Sequence, residues 1–161
     1  MPLGQIPILE VDGTIIAQSG AMARHVAREH DLYGKGNMEM TMVDVVLETL
    51  NDFSKERMKS LFEKDEEEKQ KLTKVFDGET VPRFLAVFEK MLGENDWMVG
   101  SKLSLADLAV FNAFEAIAKT VMEESGNDIY AGYPKLKVHA DRVKSVEHVK
   151  IWLDTRPKTK F

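Results

Sequence analysis

Apolar and polar positions follow two different rhythms along this chain. Ile6-Pro7-Ile8-Leu9-Glu10-Val11 is a short strand-like run, Asp12-Gly13 is a tight hairpin signal, and Thr14-Ile15-Ile16-Ala17 is a second short run. Together they predict a β-hairpin over residues 7–17. The rhythm then changes. Met22, Ala23, Val26 and Ala27 fall on one face of a helix for which Ser19 is the expected N-cap. Gly34 is its expected terminator, and Gly34-Lys35-Gly36-Asn37 reads as a linker.

Everything after that linker reads as helical. Met40, Val43, Val46, Leu47, Leu50 and Phe53 keep a 3.6-residue period over several turns. Lys64–Lys71 is a charged run, expected as a solvated helix surface. Phe84, Leu85, Phe88, Met91 and Leu92 predict an amphipathic helix closed by Gly93. Leu105, Leu108, Phe111, Phe114, Ile117 and Val121 predict a helix apolar over much of its circumference, hence a central one. Pro134 suits the first turn of a further helix through Leu136, Val138 and Val143, and Val146–Leu153 predicts a short last one. The expected fold class is α+β: a hairpin plus one helix over 1–34, then an all-helical part over 35–161. Because a two-stranded hairpin is barely stable alone, its partners are expected to come from more strands of the same sheet, another chain or a missing segment.

Composition narrows the function. A formal net charge of −5 argues against a nucleic-acid binder, which needs a basic face. The chain has no cysteine, which excludes disulfides, thiolate metal sites and a cysteine nucleophile. No signal-peptide pattern opens the chain and no apolar stretch reaches membrane-spanning length, so a cytoplasmic location without membrane contact is expected. His25, His30, His139 and His148 share no metal-ligand spacing. Ser104-x-x-Asp107 is a capping-box pattern ahead of the central helix, with a role in folding.

The order of Gly4-Gln5-Ile6-Pro7-Ile8-Leu9-Glu10-Val11-Asp12-Gly13, Gln18-Ser19, Ala23-Arg24, Trp97-Met98-Val99-Gly100, Ser104-Leu105-Ala106-Asp107 and Tyr133-Pro134-Lys135-Leu136 resembles glutathione transferases over essentially the whole chain. Val43-Asp44, Leu50-Asn51-Asp52-Phe53 and the ending Arg156-Pro157-Lys158-Thr159-Lys160-Phe161 are most similar to their sigma class. The resemblance implies the second half of a thioredoxin-like glutathione-binding domain (1–34) followed by the family's helical domain (35–161). In the family a strand, a helix and a second strand precede the Gly-Gln-Ile-Pro stretch, and the first strand carries the tyrosine that hydrogen-bonds the glutathione sulfur. The resemblance therefore implies an N-terminally truncated chain, with that tyrosine expected upstream of Met1 and no catalytic residue in the chain itself. Tyr33, Tyr130 and Tyr133 stand elsewhere in the pattern, so weak or absent turnover is expected.

The same resemblance assigns roles to particular positions. Ile6-Pro7, if cis, would turn the Ile6 backbone outward to pair with the cysteinyl unit of glutathione; read without the family it is an ordinary proline at a strand edge. Gln18 and Ser19 would take the γ-glutamyl carboxylate at a helix N-terminus, where Ser19 alone would read as a plain N-cap. Gln5 would reach toward the C-terminal half of the tripeptide. Asp52 would reach across a homodimer interface to the glutamyl ammonium of the partner's ligand, or else is a solvated helix acid. Ser54 and Phe161 are candidates for the wall of a pocket for small hydrophobic electrophiles. Some members of the class hold Mg²⁺ through three aspartates; the matching positions here are Glu48, Asn51 and Asp52, and the loss of a carboxylate argues against a metal. The implied activity is conjugation of reduced glutathione to such electrophiles in detoxification. The alternative is a non-catalytic structural or dimerising protein, like the crystallin members of the class.

Overall fold

Asp12 and Gly13 both take positive φ, 48° and 77°, the backbone that a two-residue hairpin turn demands. They join β1 (Leu9–Val11) to β2 (Thr14–Ile16) in an antiparallel pair with Leu9 opposite Ile16 and Val11 opposite Thr14. The computed structural model describes residues 3–157. Among them this pair is the only sheet.

Helix α1 (Ser19–Glu29) follows and buries Met22 and Ala27. It departs from expectation at both ends. Gln18, not Ser19, occupies the N-cap position, with φ 70°, so the chain turns into the helix one residue early and Ser19 lies in the first turn. Helix α1 also stops at Glu29, ahead of Gly34. Asp31 takes φ 57°, and the Leu32 amide folds back onto the Ala27 carbonyl at 2.8 Å, which ends the helix without a glycine. Gly34 then adopts φ 80° in the bend that leads to α2, and there Glu39 Cβ would lie 2.8 Å from any added side chain.

The long α2 (Gly36–Leu61) absorbs most of the expected linker and buries Val43, Val46, Leu50 and Phe53 at the expected period. Helix α3 (Glu66–Val75) is the charged run: the Asp65 carboxylate caps it by accepting from the Glu68 amide at 2.9 Å, and it buries nothing. A π-helical turn, Phe76–Thr80, leads straight into α4 (Val81–Leu92), which Gly93 ends at φ 59°. The central α5 (Leu105–Ser125), α6 (Pro134–Ser145, with Pro134 in its first turn) and α7 (Glu147–Thr155) complete the bundle.

The core is aromatic at its centre. Phe53 of α2 lies 5.1–5.3 Å, ring to ring, from Phe76, Phe84 and Phe114, and Phe88 meets Phe114 edge-on at 5.8 Å. Each such buried ring contributes about 1.5–3 kcal/mol from removal from water.

A closed polar cluster sits beside it. One oxygen of Asp107 accepts from the Ser104 amide (2.8 Å) and hydroxyl (2.7 Å), the reciprocal half of the expected capping box. The other accepts from the Met98 amide (2.7 Å) and from His139 Nε2 (2.8 Å). All three side chains are buried. One carboxylate thus ties the 98–104 loop, α5 and α6 together. The start of α6 is placed from outside: Glu89 of α4 accepts from the Lys135 and Leu136 amides at 3.2 and 2.8 Å, and the Tyr133 hydroxyl donates to the Pro82 carbonyl at 2.8 Å.

Candidate functional site

The first turn of α1 is where the sequence places anion-binding chemistry. An α-helix begins with backbone N–H groups that have no partner within it, and no side chain caps those of α1. Gln18, Ser19 and Gly20 are all exposed there. Gln5, Ile6 and Pro7 lie exposed just ahead of β1, with Ile6 78% accessible and the Ile6–Pro7 bond cis.

An apolar cavity lies elsewhere. About 370 Å³ in volume, it is bounded by Ile8 and Leu9 of the hairpin, by Met22 and Val26 of α1, and by Leu105 and Leu108 of α5. Its lining is apolar and includes none of the expected glutathione-binding residues.

On α2, Asp52 is exposed and accepts from Lys55 Nζ at 2.9 Å, an ion pair within one helix. Ser54 is exposed as well. Two expectations fall at the chain ends. Met1, upstream of which the sulfur-activating tyrosine is expected, and Phe161, expected in the wall of the electrophile pocket, both lie outside the described residues. Of the three positions matched to a metal site, Glu48 is engaged by Arg24 and by the Asn51 amide (3.2 Å), and Asp52 by Lys55. Among the described residues no group of three His, Asp or Glu side chains is arranged to hold a metal ion.

The structure also builds a feature that periodicity does not reveal. Arg24 of α1 donates through Nε to Asp44 and through Nη2 to Glu48, both at 2.7 Å, and the Tyr33 hydroxyl donates to the same Asp44 oxygen at 2.6 Å. Burial pulls the Asp44 carboxyl upward, but the hydrogen bonds from Tyr33 and Arg24 outweigh it and hold it below its ordinary range. The bond to Asp44 raises the Arg24 guanidinium against a smaller opposing effect of burial. The Tyr33 phenol is raised by burial and then by Asp44. The sequence did hold a signal: Asp44 and Glu48 are spaced i, i+4 on one face of α2, and Arg24 is a cation on a helix otherwise buried through small and apolar residues.

The three tyrosines are engaged with the helical part. The Tyr33 hydroxyl is spent on Asp44 and that of Tyr133 on Pro82, while Tyr130 is buried among the helices, which pushes its phenol far up.

Comparison with known proteins accounts for this arrangement. Residues 51–156 match the glutathione S-transferase C-terminal domain. The chain belongs to the glutathione S-transferase family. It is 33% identical to hematopoietic prostaglandin D synthase of Gallus gallus over 99% of this chain and 76% of that protein. The solved structure of prostaglandin synthase D of Nilaparvata lugens superposes with a TM-score of 0.86 at 31% identity, over 98% of this chain and 77% of that one. A Nu-class transferase from Haemonchus contortus gives 0.85 at 35% identity, over 100% and 78%. The hairpin followed by a helical domain is therefore the glutathione S-transferase fold, as expected. Among the described residues no helix is long and apolar enough to cross a membrane.

Proposed function

We propose that this chain binds reduced glutathione, with the γ-glutamyl carboxylate on the first-turn amides of α1 at Ser19, assisted by Gln18, and with Gln5, Ile6 and Pro7 along the rest of the tripeptide. The observation that carries this reading is the exposed, side-chain-uncapped start of α1, together with an exposed Ile6 ahead of β1, in a chain of this family. A helix N-terminus carries a partial positive charge that favours a carboxylate.

The boundary proposed for the glutathione-binding part is 1–34, with the helical domain from 35. As in the sigma class, a cytoplasmic homodimer is proposed. The exposed Met38, Met42 and Val45 of α2 support a partner on that helix, and Asp52 would then face the partner's ligand. In such an enzyme the glutathione sulfur, as thiolate, attacks an electrophilic carbon and the leaving group departs, with Ser54 and Phe161 toward the electrophile. Thiolate formation needs a donor to lower the thiol pKa. The engagement of Tyr33, Tyr130 and Tyr133 with the helical part supports the view that none of these three is that donor. That favours binding with weak turnover, and gives the structural or dimerising reading its one specific support.

Titration calorimetry with reduced glutathione, together with an aryl chloride conjugation assay at neutral pH, tests this. Glutathione binding that is lost in Ser19→Ala/Gln18→Ala, with turnover near the uncatalysed rate, is the expected result. An absence of binding refutes the site, and turnover typical of a transferase refutes the account of the tyrosines.

A further inference from the structure

Gly20 and Arg24 are one helical turn apart, and the structure gives their pairing a purpose. An added Cβ at Gly20 would lie 3.0 Å from Arg24 Nη1. The guanidinium therefore runs back over the first turn of α1, where a side chain at residue 20 would press against its Nη1 end. Its other two nitrogens are fixed at 2.7 Å to Asp44 and Glu48 on α2. Asp44 is itself fixed by the Tyr33 hydroxyl, and the Tyr33 ring lies under the Arg28 guanidinium at 4.4 Å. The Arg24 side chain is 21% accessible, while its partners Asp44 and Glu48 are 45% and 62% accessible, so water and salt reach the carboxylates.

We infer that Arg24 is a positioning residue for the glutathione site: it ties the N-terminal half of α1 to α2 and neutralises Asp44 and Glu48 near the end of the helix that receives the ligand carboxylate. The inference rests on the glutathione reading above.

Two consequences separate this role from a merely structural one. Removing the guanidinium leaves two bare carboxylates near an anion site, so affinity for glutathione falls and the loss shrinks as salt screens the repulsion. Filling the Gly20 space nudges Arg24 Nη1 while every charge remains, so affinity falls only slightly and with little change in salt response.

The test is titration calorimetry of the 161-residue chain with reduced glutathione at low and high salt, beside thermal melts. Arg24→Met is expected to weaken binding on the order of tenfold at low ionic strength and clearly less in high salt. Arg24→Lys, one cation with a single donor point, should recover only part of the loss. Adding Asp44→Asn and Glu48→Gln to Arg24→Met should abolish the salt effect and leave a smaller residual loss. If Arg24→Met proves unfolded, Gly20→Ala and Arg24→Lys carry the test. Wild-type binding with an unchanged Kd in the folded variants overturns the role of Arg24 alone. No binding by the wild-type chain overturns the glutathione reading, and this inference falls with it.

Discussion

The two ends of this molecule are built to different standards. The helical part from α2 onward holds its shape through a ring of phenylalanines and one carboxylate that satisfies four donors. The hairpin has three-residue strands, leaves Ile6, Ile8 and Ile15 exposed, and stands over an open apolar cavity. The proposed ligand contacts concentrate in the thin region and the stability in the thick one. In the proposed reading, that division leaves the start of α1 without a side-chain cap while the helices hold the fold.

Four substitutions probe how deep the contrast runs. Phe53→Ala should cost about 3–5 kcal/mol, since it opens a cavity touching three other rings; a urea titration showing a loss under about 1 kcal/mol would mean that the aromatic centre does not carry the fold. Asp107→Asn should cost about 2–3 kcal/mol, because its amide nitrogen cannot accept from the donors now facing it. The same titration checks this, with Ser104→Ala as a milder control at about 1 kcal/mol. Ile15→Thr, at an exposed strand position, should change stability by less than about 0.5 kcal/mol. Amides of Leu9–Ile16 should exchange with solvent well before those of α5. If hairpin and α5 amides exchanged together, the molecule would be one cooperative unit and the contrast would dissolve.

The legible parts of the sequence were those governed by local rules. Asp12-Gly13 announces the hairpin, Pro134 and Gly93 mark helix ends, the 3.6-residue period locates α2, α4 and α5, and Ser104-x-x-Asp107 announces the cap of α5. What escaped depends on partners distant in sequence. Nothing in the spacing of the histidines pairs His139 with Asp107, 32 positions away. The clamp of Arg24 spans 20 and 24 positions. Ser19 read as a cap because serine favours that position, but the left-handed backbone of Gln18 moved the cap by one residue. The residues of the proposed glutathione site come from family resemblance alone, whereas the Gly20–Arg24 contact depends on how the helix is packed.

The π-helical turn at Phe76–Thr80 carries a last consequence. From Glu66 to Leu92 the chain is effectively a single rod whose first half, α3, buries no residue fully and whose second half buries Val81, Phe84, Leu85, Phe88 and Leu92. A π turn holds one residue more than an α turn, so the step acts as a phase shifter between the two halves. Dropping one residue there would rotate all of α4 by about 100° about its own axis, turning its phenylalanines toward solvent, so the rod tolerates change in length only in whole turns.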